Sequence, residues 1–214
     1  MSKPTIFEEL REEVEYEKGR SPFFYRRAFR RLAEKYRKKP DHLILDERLD
    51  SQDAQIKQDK NVLRRYPKQG HIYMFEYDPP TNEDIKIFDP FPLVYVINFD
   101  GTSFTGSNLH LIHPVKRSLV IENLRNDKVT LPYNSITKYI VNRVNGFMLD
   151  IAFEEWGIAS NLPIESLISI TNGEKRDLKL TDVWKEKNKT FRKMLKGNRI
   201  YKSYGKNDAD FKGS

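Results

Sequence analysis

The chain has 214 residues and no cysteine, with 38% hydrophobic and 12% aromatic residues against 32% charged, and a mean hydropathy of −0.72. That composition excludes a disulfide framework, a thiolate metal centre and a thiol nucleophile, and leaves packing alone to hold one modest core with long polar extensions. No run of about 18 apolar residues exists, and the opening MSKPTIFEELREE has acids where a signal peptide needs an apolar stretch, so the expectation is a protein without a membrane span, made and used in a cytoplasm-like compartment.

The formal net charge of +7 is unevenly placed. Residues 20–39 hold nine Lys or Arg against one acid, residues 185–206 hold the same, and the remainder of the chain is therefore at −9. Two basic segments flanking an acidic body predict arms that meet a polyanion or an acidic protein surface.

In chain order, Ile6, Leu10 and Val14 recur every four residues and predict a thin amphipathic helix over 5–17. Ser21 followed by Pro22 reads as an N-cap with proline in the first turn, opening a helix that runs to about Lys38 and stops before Pro40. Its apolar stripe is Phe24, Tyr25, Ala28, Phe29, Leu32 and Tyr36. A third, weaker helix is expected over roughly 51–65.

At Gly70 the period becomes two. Ile72, Met74 and Glu76 alternate with Tyr73, Phe75 and Tyr77, closed by Pro79 and Pro80. IKIF and PLVYVINF repeat the signal, and Asp100-Gly101 marks a turn before a strand at 103–110. Residues 71–110 therefore predict a small, twisted antiparallel sheet or partial barrel with Phe91, Pro92 and Leu93 partly buried at its centre. Pro114 opens a helix, and 131–144 predicts another, with Ile136, Tyr139, Ile140 and Val144 inward and Gly146 as its stop. FMLDIAF predicts a strand, followed by a turn at EEW and a short closing piece at LPIESLISI. The expected class is α+β: a helical basic N-terminal segment (1–69), an α+β core (70–180), and a basic, extended tail (181–214) whose apolar content is too low to fold alone.

Ten scattered glycines form no phosphate-binding loop. His110 and His113 stand three residues apart, as metal ligands on a helix can, but also as histidines at a sheet edge do. Glu83, Asp84 and Asp89, or Glu154 and Glu155, could be drawn into a metal-dependent nuclease site, although Asp89 between Phe88 and Pro90 is better explained as a turn former. No cofactor, metal or catalytic residue is assigned. The candidate binding residues are the cations Arg26, Arg27, Arg30, Arg31, Lys35 and Arg37 of the second helix, and Trp184, Lys187, Lys189, Arg192, Lys193 and Lys196 of the tail. The helix can track phosphates with its arginines, or dock its aromatics on the core while its arginines meet the acids of a neighbouring subunit.

One block carries a resemblance. HIYMFEYDPPTNEDIKIFDPFPLVYVINFDGTSFTGSNLHLIHPVKRSLVIENL presents Tyr73, Phe75, Tyr77, Asp78, Asp89, Phe91, Pro92, Leu93, Val94, Gly106, Asn108, Leu109, His110, Pro114 and Arg117 in order. EEWGIASNLPIESL and Val183-Trp184 follow as closing elements. This series resembles a segment of the virion proteins of T-even-type bacteriophages and is similar to the DNA end protector group, over about 71–184. The sequence departs from that pattern at Ile85–Asp89, where Leu-Pro-Tyr-Tyr-Asp is usual, and at Leu111–Pro114, where Tyr-Leu-x-Pro is usual. The resemblance implies a non-enzymatic virion component at the DNA end, the head-to-tail neck or the tail baseplate, assembled in the host cytoplasm. Its implied partners are portal, neck, tail or baseplate subunits, with the end of packaged double-stranded DNA as a further candidate and no small-molecule substrate. The alternatives are a free nucleic-acid-binding accessory protein and a metal-dependent nuclease.

Overall fold

Alternating apolar residues at the centre of the chain build two sheets rather than one. The computed structural model describes residues 4–20, 22–37, 44–45, 62–79, 85–185 and 201–202. Two N-terminal helices, α1 (Ile6–Glu17) and α2 (Phe24–Arg37), precede the short strands β1 (Ile44–Leu45) and β2 (Val62–Arg64). Then come β3 (Ile72–Met74), β4 (Ile85–Phe88), β5 (Leu93–Phe99), β6 (Ser103–Asn108), α3 (Pro114–Arg125), β7 (Thr130–Leu131), β8 (Ile136–Ile140), β9 (Met148–Ile151), α4 (Trp156–Ser160), β10 (Leu167–Thr171) and β11 (Glu174–Leu178). Residues 180–185 are helical, and β12 (Tyr201–Lys202) pairs with β7. The fold is α+β.

The larger sheet runs β1-β2-β9-β3-β5-β6-β8 and is antiparallel except for the β1–β2 pair; it does not close into a barrel. The alternation over 72–77 is realised as two cores on its two faces. Ile72 and Met74 join Leu93, Leu149 and Ile151 under the helices, while Tyr73, Phe75 and Tyr77 join Val94, Val96, Phe104, Tyr139 and Met148 on the other face. The helices α1 and α2 belong to the first of these clusters through Phe7, Leu10, Val14, Tyr25, Ala28, Phe29 and Leu32. The second face is aromatic: Tyr139 stacks on Phe104 at 5.2 Å and meets Phe75 and Tyr77 edge-on at 5.4 and 5.0 Å.

Four expectations are corrected. Residues 71–110 do not form one sheet: β4 pairs with β10 in a separate three-stranded sheet, β11-β10-β4, and the larger sheet recruits β2, β8 and β9 from outside that interval. The helix expected at 131–144 is β7, a 3-10 turn at Tyr133–Ser135, β8, and a second 3-10 turn at Val141–Arg143. Its β-branched run Ile136-Thr137 with Tyr139 suits a pleated surface, and only as a strand can Tyr139 reach the aromatic face. Within the expected 51–65 helix, Val62–Arg64 are a strand and Arg65 follows it in a bend, while residues 51–61 lie outside the described residues. Phe91 and Leu93 are fully rather than partly buried, and Phe91 precedes β5.

The entry to α2 also differs in origin. Ser21 lies outside the described residues, and the helix N-terminus is capped from 140 residues away by Glu165, in the segment leading into β10. One carboxylate oxygen accepts the backbone N–H groups of Tyr25 (2.7 Å) and Arg26 (3.1 Å), and the other accepts from the Arg26 guanidinium (2.9 Å). A negative charge here satisfies orphan amides and opposes the positive end of the helix dipole.

Glu165→Ala strands two amides and Arg26, so a loss of about 3 kcal/mol is expected in urea unfolding, discounted from a fully buried pair because Arg26 is partly exposed. Burial, the dominant influence, pushes the Glu165 carboxyl up, against the pull of Arg26 and the amides. A folded-state pKa above the unfolded one makes stability fall as pH rises through the raised value. The stability of wild type relative to Glu165→Gln is therefore expected to grow between pH 7 and about 4.5; a drift in the other direction would show that the Arg26 pair dominates.

Candidate functional site

The cations singled out on α2 are held by acids of the same chain. Lys35 meets Glu9 at 2.6 Å, and Arg31 bridges Glu13 at 2.5 Å and Glu17 at 2.9 Å. Arg30 forms a two-pronged pair with Glu76, and Arg26 is held by Glu165. The partners Glu9, Glu13 and Glu17 recur every four residues on α1, so α1 and α2 zip together by complementary stripes above a shared apolar seam. The α2 aromatics dock inward: Tyr25 stacks on Phe91 at 5.2 Å, and Phe29 meets it edge-on at 5.3 Å. Arg27 is exposed, with no ion pair among the described residues. The Arg37 side chain and Lys187, Lys189, Arg192, Lys193 and Lys196 lie outside the described residues.

Trp184 sits on the body: its indole N–H donates to the His110 carbonyl at 2.9 Å, and its ring meets His113 at 5.5 Å. Val183 beside it packs with Leu111 and Leu167. The tail is thus anchored through residue 185.

The second constellation is a buried polar knot around Asp89, between β4 and β5. One oxygen accepts the Phe91 amide at 3.0 Å, the local turn read from sequence. The other accepts from Asn108 Nδ2 at 3.2 Å and from His110 Nδ1 at 2.7 Å. Asn108 in turn accepts the His110 amide, which fixes the 3-10 turn at Leu109–Leu111. His113 caps α3 through Nδ1 at 3.4 Å, so the two histidines serve different elements. Gly106 permits the same junction, because a Cβ there would stand 2.3 Å from Val94 Cγ1 and 2.7 Å from the Tyr95 carbonyl. Arg117, fully buried, donates to the carbonyls of Ile112 (3.0 Å) and Ser160 (2.6 Å), and burial lowers its pKa to about 10.

A third cluster was not foreseen. Asp150 on β9 accepts from Arg64 Nε at 2.6 Å, His71 Nδ1 at 3.1 Å and the Tyr73 hydroxyl at 3.3 Å, tying β2, β3 and β9 together. Only the alternation of β9 pointed to it, by putting Asp150 on the same face as Met148.

A scan of protein-family models, a search of curated proteins and a search of solved structures each return no match to this chain. Its chemistry is therefore read from the geometry. Among the described residues no three His, Asp or Glu side chains converge as metal ligands, and Asp89 is committed to His110 and Asn108. No helix of the described residues is long and apolar enough to cross a membrane. What the arrangement does is rigidify: the motif side chains serve the fold itself.

Asp89→Ala leaves three buried donors without an acceptor and should cost about 3 kcal/mol or more, with Asp89→Asn milder; urea denaturation measures both. On α2, Phe29→Ala should cost about 3–5 kcal/mol and Arg30→Ala about 2 kcal/mol, the 64% exposure of Arg30 moderating the cost of leaving the buried Glu76 carboxylate without its partner.

Proposed function

We propose that this chain is a non-enzymatic structural component of a tailed-phage virion, similar to the DNA end protector group, working at the DNA end, the neck or the baseplate by binding other virion proteins. The observation that carries the reading is the occupation of the motif residues. Asp89, Phe91, Asn108, His110, Pro114, Arg117, Trp156 and Trp184 are each engaged in holding the chain's own elements. A motif set that defines a rigid scaffold suits a subunit whose work is done by surfaces.

Those surfaces include exposed Phe23, Phe153 and Ile158, which suit protein partners. Contact with DNA falls to the second basic segment, residues 185–206, because four of the six candidate cations on α2 are neutralised within the chain. Lysines facing a polyanion bind through counterion release, which falls steeply with salt.

Mass spectrometry of purified particles, with neck, tail and baseplate fractions resolved, is expected to find the chain in one of them at stoichiometric level; its absence from particles sinks the reading. Neutralising Lys187, Lys189, Arg192, Lys193 and Lys196 to Gln is expected to weaken retention of DNA and to flatten its salt dependence by about four to five units of log–log slope. Unchanged retention removes DNA from the partners of the tail.

A further inference from the structure

The two most exposed large aliphatic side chains of the described residues lie on one helix: Val115, 80% exposed, and Leu119, 58% exposed, four positions apart on the outer side of α3. Its inner side carries Arg117, Val120, Ile121 and Leu124 into the core, so the outer stripe is separate, and among the described residues nothing buries it. A surface helix that places two aliphatic side chains in water at i and i+4 has the pattern of a contact face.

Two fixed points show which part of the chain passes this face. Trp184 is anchored at the N-terminal end of α3, against His113 and the His110 carbonyl. Tyr201 and Lys202 pair with Leu131 and Thr130 of β7, which packs just beyond the C-terminal end of α3. Residues 186–200 are the link in sequence between these two fixed points, one near each end of α3. α3 has 12 residues and is about 18 Å long, whereas fifteen residues reach about 22 Å as a helix and about 50 Å extended, so the link is long enough to run the length of α3. In sequence, Phe191, Met194 and Leu195 stand at i, i+3 and i+4 among Lys187, Lys189, Arg192, Lys193 and Lys196, one apolar stripe on an otherwise cationic segment.

We propose that the outer face of α3 is the docking surface for the chain's own residues 186–200, with Phe191, Met194 and Leu195 set against Val115 and Leu119. The cations of the segment then face outward, so the apolar contact presents the basic surface on the body in a fixed place. This inference rests on the fold alone and stands or falls independently of the virion reading.

The absence of cysteine makes the test direct. In the full chain, Ser118→Cys is combined in turn with Thr190→Cys, Arg192→Cys and Lys193→Cys, and each pair is treated with a short bismaleimide. At least one pair is expected to crosslink within the monomer, about tenfold faster than a control pairing the same tail cysteine with Thr102→Cys on the distant β5–β6 turn, a preference equivalent to about 1.4 kcal/mol. Val115→Asp with Leu119→Asp, both exposed and therefore compatible with folding, should abolish that advantage at unchanged melting temperature. Crosslinks between two chains would overturn the proposal in favour of a second copy as the occupant. Rates equal to the Thr102 control, or an advantage that survives the double Asp variant, would overturn it outright.

Discussion

A carboxylate moved out of water costs several kcal/mol unless hydrogen bonds and opposite charge replace its hydration, and Asp89 is almost completely buried. It stands where β4 ends and the chain crosses to β5, so whatever satisfies it also fixes how the three-stranded sheet meets the seven-stranded one. The Phe91 amide, Asn108 and His110 do so, and each carries the constraint onward. Phe91 is stacked by Tyr25 of α2, whose own amide is held by Glu165. The His110 carbonyl receives Trp184. One continuous path of short polar and aromatic contacts thus runs from the anchored start of the tail, through Asp89, to the first turn of α2. Most of its steps exclude water, which strengthens each hydrogen bond and makes each missing partner expensive.

Charge behaves differently at the two basic segments. A window of +8 over residues 20–39 suggests a free cationic arm, but the acids that answer it lie outside the window, at Glu9, Glu13, Glu17, Glu76 and Glu165. Two of these, Glu76 and Glu165, are buried and come from distant parts of the chain. A local charge count cannot register such pairing, and partly exposed pairs of this sort contribute little stability each while still setting orientation. The α1–α2 hairpin is therefore a structural layer over the sheet, held by its apolar seam and oriented by its ion pairs.

The parts of the fold legible in the sequence were those set by local periodicity and turn chemistry. The two-faced alternation of 72–77, the Asp100 turn and the proline-opened α3 needed no tertiary information. The spacing of Ile136, Tyr139, Ile140 and Val144 fits a helical stripe, whereas a strand puts Tyr139 on the face opposite Ile136 and Ile140, and the strand is chosen by the aromatic face that Tyr139 completes. β11 escaped notice because its residues are nearly all exposed and polar, although Asn172-Gly173, both at positive φ, is the dipeptide that a two-residue hairpin requires. The Glu165 cap and the seating of Trp184 join residues 140 and 74 positions apart, and nothing in a one-dimensional pattern announces them.

Two stretches of the chain, 85–89 and 111–114, are separated in sequence but meet in space. Ile87, from the first, and Leu111, from the second, pack in one small cluster with Leu167, Leu178, Leu180 and Val183, and His113, also from the second, meets Trp184 edge-on. This is the cluster that seats the helix at 180–185 and so determines where the basic tail leaves the body. Apolar packing is intolerant of one-sided changes in volume, so a shift in one wall of such a cluster calls for an answering shift in another. The knot at Asp89, Asn108 and His110 is held by hydrogen bonds and the seat of the tail by apolar packing, so a change of volume in the seat shifts where the tail leaves the body without removing a partner from the knot.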